Sequence, residues 1–209
     1  MSSVLVRWGA WAGVLGGLLW SLFPLAIVVV SIEDTQPGTL THLSAAVVYW
    51  LMAVLPLLLL LVGLAGLRAL HSSAYGRLGN VGFLVSFLAL VLMLVGNAVE
   101  VASLTFSGSD SDVGHIIFLI GFLLLLVGSV LVGIPILRTQ RDPSSRIGGL
   151  LFVAALPVGI LLGIVLGVIA PRTDLGFWAA ITVPYGIAWL LLGYTLMSAR
   201  GRAAEQPSA

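Results

Sequence analysis

The sequence predicts an all-α integral membrane protein with six transmembrane helices, and three observations carry that prediction. Hydrophobic residues make up 60 % of the chain and charged residues 8 %, whereas a soluble domain carries about 25 % charged residues. The apolar residues gather into six runs of 23 or more, each long enough to cross a hydrocarbon layer of ~30 Å as a helix. The charges collect in the short gaps between runs, arginine-rich and acid-rich gaps alternating along the chain.

The first run, Trp8 to Val30, follows Arg7 in the manner of a signal peptide. It is longer than a secretory apolar region and no small-residue cleavage pattern follows it, so it is read as a retained span. Glu33-Asp34-Thr35-Gln36-Pro37-Gly38 is turn chemistry, and Thr41 is the expected N-cap of the second span, Leu43 to Leu67. The third span runs from Leu78 to Leu104. A polar gap from Ser107 to Asp112 precedes the fourth, Val113 to Leu137. Asp142-Pro143-Ser144-Ser145 opens the fifth, Ile147 to Ala170, and Asp174 is placed to cap the sixth, Leu175 to Met197. Residues from Gly201 to Ala209 are small and polar and read as a short flexible tail. Pro24, Pro56, Pro135, Pro157 and Pro184 lie inside apolar runs, where each removes one helix hydrogen bond and is expected to bend its helix.

The spans pair into three tandem hairpins forming one polytopic domain. Arg7-Trp8-Gly9, Arg77-Leu78-Gly79 and Arg146-Ile147-Gly148 open them at spacings of 70 and 69 residues. The hairpins cover about 7–70, 77–139 and 146–201. A two-span repeat keeps every unit in one orientation, so this ~70-residue parallel repeat is compatible with a pseudo-threefold axis along the membrane normal. Mitochondrial carriers share three two-span repeats, but their Pro-x-Asp/Glu-x-x-Lys/Arg signature is missing here. Pro24 is followed by Leu25-Ala26-Ile27 and Pro157 by Val158-Gly159-Ile160, so only the architecture is alike and no function is carried over.

Orientation follows from arginine, since there is no lysine. Eight of the nine arginines fall on one side (Arg7, Arg68, Arg77, Arg138, Arg141, Arg146, Arg200, Arg202) and Arg172 alone on the other. The positive-inside rule then places both termini in the cytoplasm, and the chain is expected in a bacterial plasma membrane. Glu33, Asp34, Glu100, Asp110, Asp112 and Asp174 fall on the opposite side.

Glycine marks the expected contacts. Gly9, Gly13 and Gly17 stand four apart in the first span, as do Gly159, Gly163 and Gly167 in the fifth. Small residues at that interval let backbones approach within lipid. Gly114, Gly121 and Gly128 recur every seven residues in the fourth. Trp8, Trp11, Trp178, Tyr185 and Tyr194 fall near the span ends and read as an interfacial aromatic belt.

One polar constellation stands out. Ser86, Met93, Asn97 and Glu100 form a stripe at helical spacing on the third span. Glu100 lies 21 residues beyond Gly79, ~32 Å along an ideal helix. An ionisable group inside a membrane segment is a functional candidate, because burying it is costly. His42 and His115 start the second and fourth spans at the same expected depth, 73 residues apart. With Glu100 they could converge on one outward-facing pocket suited to a proton relay or a divalent metal.

Other chemistry is excluded by what the chain lacks. Without cysteine there are no disulfides, thiolate metal sites or iron–sulfur clusters, and without lysine no Schiff base. No Gly-x-Ser-x-Gly, His-Glu-x-x-His or P-loop pattern occurs, and a net charge of +1 offers no footprint for nucleic acid. The leading expectation is a non-enzymatic protein with no cofactor, an accessory subunit packing against lipid, other membrane proteins or itself. The second is a small-solute or proton-coupled transporter using Asn97 and Glu100. The third is a metal- or haem-dependent membrane enzyme using His42, His115 and Glu100.

Overall fold

The computed structural model describes residues 3–30, 32, 35–71, 75–170 and 175–205. The described secondary structure is helical throughout, with no strand. The elements are α1 (Ser3–Val29), α2 (Leu40–Tyr49), a π-helical turn (Trp50–Val54), α3 (Leu55–His71), α4 (Gly76–Ser107), α5 (Asp112–Thr139), α6 (Pro143–Ile169) and α7 (Leu175–Glu205). With α2, the π turn and α3 forming one continuous rod, six helices are long and apolar enough to cross a membrane.

Cap chemistry explains where several helices begin. Ser111 accepts a hydrogen bond from the Gly114 N–H to start α5. Asp142 accepts from the Ser145 N–H to start α6, with Pro143 in the first turn where its missing N–H is harmless. The cap of α2 is Thr39, whose hydroxyl accepts from the His42 N–H. Thr41, expected in that role, already lies inside the helix, because the Gln36–Thr39 turn brings the chain to its first helical residue sooner than the apolar pattern indicates. At the other end of α4, Gly108 takes the left-handed conformation at φ 67° and returns its N–H to the Leu104 carbonyl. That conformation disfavours side chains. The last helix also differs from expectation. It continues through Gly201 as far as Glu205, beyond the Met197 end that hydropathy marks. Asp174, Glu33, Asp34 and Arg172 lie outside the described residues.

Pro24, Pro135, Pro157 and Pro184 are absorbed within continuous α-helix. Pro56 is different. The rod widens just before it, and the Leu55 N–H reaches back five residues to the Trp50 carbonyl. A proline has no N–H and crowds the carbonyl four residues earlier, and a π turn relieves that crowding while loosening the carbonyl ladder.

The helices close into a ring in the order α3, α1, α7, α6, α5, α4 and back to α3. Glycine makes the tight seams. A Cβ on Gly9 would lie 2.5 Å from the Gly66 Cα of α3, and one on Gly17 would lie 2.5 Å from the Gly186 carbonyl of α7. A Cβ on Gly13 would lie 3.4 Å from the Gly193 Cα, and one on Gly63 would approach the Gly13 backbone to 3.1 Å. On α5, Gly114, Gly121 and Gly128 lie against Glu100, Met93 and Ser86 of α4. On α6, Gly159 and Gly163 rest on Ala180 and Gly176 of α7, while the Cβ position of Gly167 is open. Each contact is made within the chain.

Two apolar clusters fill the ring. The larger centres on Leu57, Leu64, Leu90, Met93 and Trp189. The smaller gathers Phe23, Ile32, Tyr49, Val54, Val101 and Leu104 at the end bearing the α1–α2, α4–α5 and α6–α7 connections. This is called the acidic end below, and its opposite the arginine end. Trp8, Trp11 and Tyr194 are more than half exposed, as belt residues should be. Tyr185 is not a belt residue. It is buried, with its hydroxyl 3.1 Å from Ser129 Oγ of α5.

α5 and α6 touch closely near the arginine end, through Gly133, Ile136, Gly149 and Phe152. Toward the acidic end they part around an apolar groove of about 700 Å³, floored by α7.

Candidate functional site: a polar cavity at the acidic end

The cavity is assembled by four spans. α1 contributes Phe23, the widened rod contributes Tyr49 and Ala53, α4 contributes Asn97 and Glu100, and α7 contributes Trp178. Its empty volume is about 460 Å³, counting space open to the outside. Inward of it, Trp20, Phe23, Ala53, Asn97, Phe118 and Trp178 pack together and leave no room for a water molecule.

Each polar group is held by a specific local feature. Asn97 is buried, and its Nδ2 donates to the Ala53 carbonyl at 3.1 Å. That carbonyl belongs to the π turn, where the loosened ladder makes a backbone oxygen available to a neighbouring helix. The proline, the widened turn and the asparagine therefore form one unit linking α3 to α4. Glu100, one turn further on, lies at the mouth of the cavity. Its Oε1 is 3.4 Å from His115 Nδ1 across α5, with the His115 side chain 42 % exposed and that of Glu100 18 % exposed. The pair is long and lies at the rim, the class of ion pair that contributes least. Asp110 is close enough to act on the same carboxylate electrostatically.

The walls are aromatic. Phe23 and Trp178 meet edge to face, with ring centres 5.2 Å apart and planes at 85°, and Phe118 leans on the same indole at 5.8 Å. Trp178 thus lines the cavity, while Phe177 beside it faces outward. Trp20 is 4 % exposed, and its Nε1 has no hydrogen-bond partner among the described residues. A buried indole N–H ordinarily finds an acceptor.

His42 is completely buried, yet it does not line the cavity. Its Nε2 donates to the Thr105 carbonyl at 3.0 Å, and its Nδ1 lies 3.0 Å from the Thr35 hydroxyl. Because a carbonyl only accepts, Nε2 must carry the hydrogen. The ring thus fastens the α1–α2 connection to the end of α4. His42, His115 and Glu100 do not form a ligand set, because both nitrogens of His42 are committed elsewhere. Among the described residues, no group of three histidine, aspartate or glutamate side chains is placed to hold a metal. Ser86 does not reach the cavity either. It is buried against Gly128, three turns toward the arginine end.

Of the five candidates from the sequence, the cavity holds Asn97 and Glu100, with His115 bound to Glu100 at the rim. Sequence reasoning missed Phe23 and Tyr49 and assigned Trp178 to the interfacial belt, since aromatics near span ends carry the same signal whether they face lipid or a cavity. The fold and the site together define an all-helical bundle with six candidate membrane spans and one aromatic-walled polar cavity. No known protein family, curated protein or solved structure matches this chain.

Proposed function

We propose that this chain is a non-enzymatic multi-pass protein of a bacterial plasma membrane, an accessory subunit that works by packing against another membrane protein or lipid. In this reading it is built of three tandem hairpins in parallel orientation, with both termini in the cytoplasm. The supporting observation is the divergence of α6 from α5, which leaves a groove of about 700 Å³, counting space open to the outside, lined by apolar side chains of which Leu123, Leu156 and Ile160 are exposed. The α1–α3, α1–α7, α4–α5 and α6–α7 seams are drawn together by close glycine contacts. Mass spectrometry of the protein released gently from its own membrane tests the reading. A defined additional polypeptide mass supports it, and a protein that emerges alone or only with copies of itself counts against it.

A second reading, a small-solute or proton-coupled transporter, is favoured by a different observation, the cavity bearing Asn97 and Glu100. It predicts that Glu100→Gln abolishes flux in vesicles while the protein still folds. Undiminished flux in that variant eliminates it.

A further inference from the structure

We propose that the acidic-end cavity binds a substituted ammonium group, seated against the aromatic wall made by Phe23 and Trp178 with the Glu100 carboxylate as its counter-charge. This concerns binding alone and holds whether or not the protein associates with a partner or moves a solute.

The charge at the site selects the ligand. Among the described residues no arginine lines the cavity and the chain has no lysine, so the charge those residues place at its mouth is acidic. Glu100 stands at the mouth with Asp110 within electrostatic reach, and His115 is the one imidazole beside them. A neutral apolar guest would leave the Glu100 carboxylate with only its long contact to His115. The walls point the same way. Two aromatic rings set at 85° form a corner, and a cation held against aromatic faces is attracted by their quadrupoles, most strongly by tryptophan. Free amines and the choline ends of lipids both carry the required chemistry.

Calorimetry of the full chain, in a detergent free of choline, tests the proposal with benzyltrimethylammonium as probe. Phenylacetate and benzyl alcohol serve as anionic and neutral counterparts of similar size. Saturable binding is expected for the cation, at least tenfold tighter than for either counterpart, and at least tenfold weaker in Glu100→Gln. His115→Ala, a rim substitution that leaves the packing intact, should bind the cation several-fold tighter by freeing the carboxylate. Phosphatidylcholine retained in native mass spectrometry by wild type but not by Glu100→Gln, with phosphatidylglycerol retained by neither, identifies a lipid headgroup as the source. Binding of the free cation without such retention identifies a free amine. The proposal is overturned if neither the probe nor phosphatidylcholine binds saturably, if benzyl alcohol binds as tightly as the cation, or if neither variant changes cation affinity.

Discussion

At the scale of single residues, the molecule is governed by how closely backbones approach. Gly17 and Gly167 make the comparison, since both are small residues from the four-residue glycine series. A methyl group on Gly17 would stand 2.5 Å from the Gly186 carbonyl and 2.8 Å from the Leu190 nitrogen, both backbone atoms that yield only if α1 and α7 separate. Gly17→Ala should therefore cost about 1–3 kcal/mol, the range for overpacking. Gly167→Ala meets nothing within 4 Å and should be neutral or slightly stabilising, because alanine favours helix by about 0.5–1 kcal/mol. Thermal unfolding of both variants in one detergent separates the two, although the sequence presents them alike. Tyr75 shows a different residue-level effect. It sits just before α4 in the arginine-end connection, and burial raises its phenol above the ordinary value of 10.0. The folded protein thus favours the neutral phenol. Its contribution is complete below pH 10.0 and is lost as the unfolded phenol ionises above that value. Tyr75→Phe should flatten part of the fall in melting temperature between about pH 10 and 12.

At the scale of elements, the connections at the acidic end are built as carefully as the helices. The α1–α2 connection buries Ile32 and is fastened to α4 by His42. His42→Leu keeps a similar volume but leaves the Thr105 carbonyl without that donor, a loss of about 1–3 kcal/mol. Amide exchange at Ile32 and from Thr35 to Thr39 should rise in this variant, while exchange in the middle of α5 stays as it was. Uniform acceleration throughout would mean that His42 supports the whole bundle rather than this connection. The element scale also shows where sequence reading reached its limit. Ser111 and Asp142 are legible as caps because a cap interaction is local, three residues from donor to acceptor. The π turn before Pro56 was not legible. Proline signals a defect, but the choice between a bend and a widened turn depends on what lies alongside, here Asn97 and its amide. Likewise His42 and His115 look equivalent in sequence, yet one is sealed inside and the other stands at a rim, because the side they face depends on neighbouring helices.

At the scale of the whole molecule, the six spans were legible, since hydropathy over 23 or more residues leaves a helix no alternative inside a bilayer. The order of helices around the ring was not, because glycine faces show that backbones approach without showing which partner they approach. Sidedness rests on arginine and is open to direct measurement, because the chain contains no cysteine. Ser109→Cys, in the exposed α4–α5 connection, should react with a membrane-impermeant maleimide added to intact cells. Gln140→Cys, between α5 and α6, should react only after permeabilisation. The reverse pattern would invert the topology and place Glu100 at the cytoplasmic face.

The cavity draws its walls from Phe23 in the first span to Trp178 in the last. During synthesis, Glu100 is therefore inserted well before the indole that will enclose it. Until α7 arrives, the carboxylate faces a gap in an unfinished ring, whereas the Asn97 amide already has its partner in Ala53. The walled cavity is thus the last feature the chain completes, and a product truncated before α7 would carry Glu100 without Trp178 beside it.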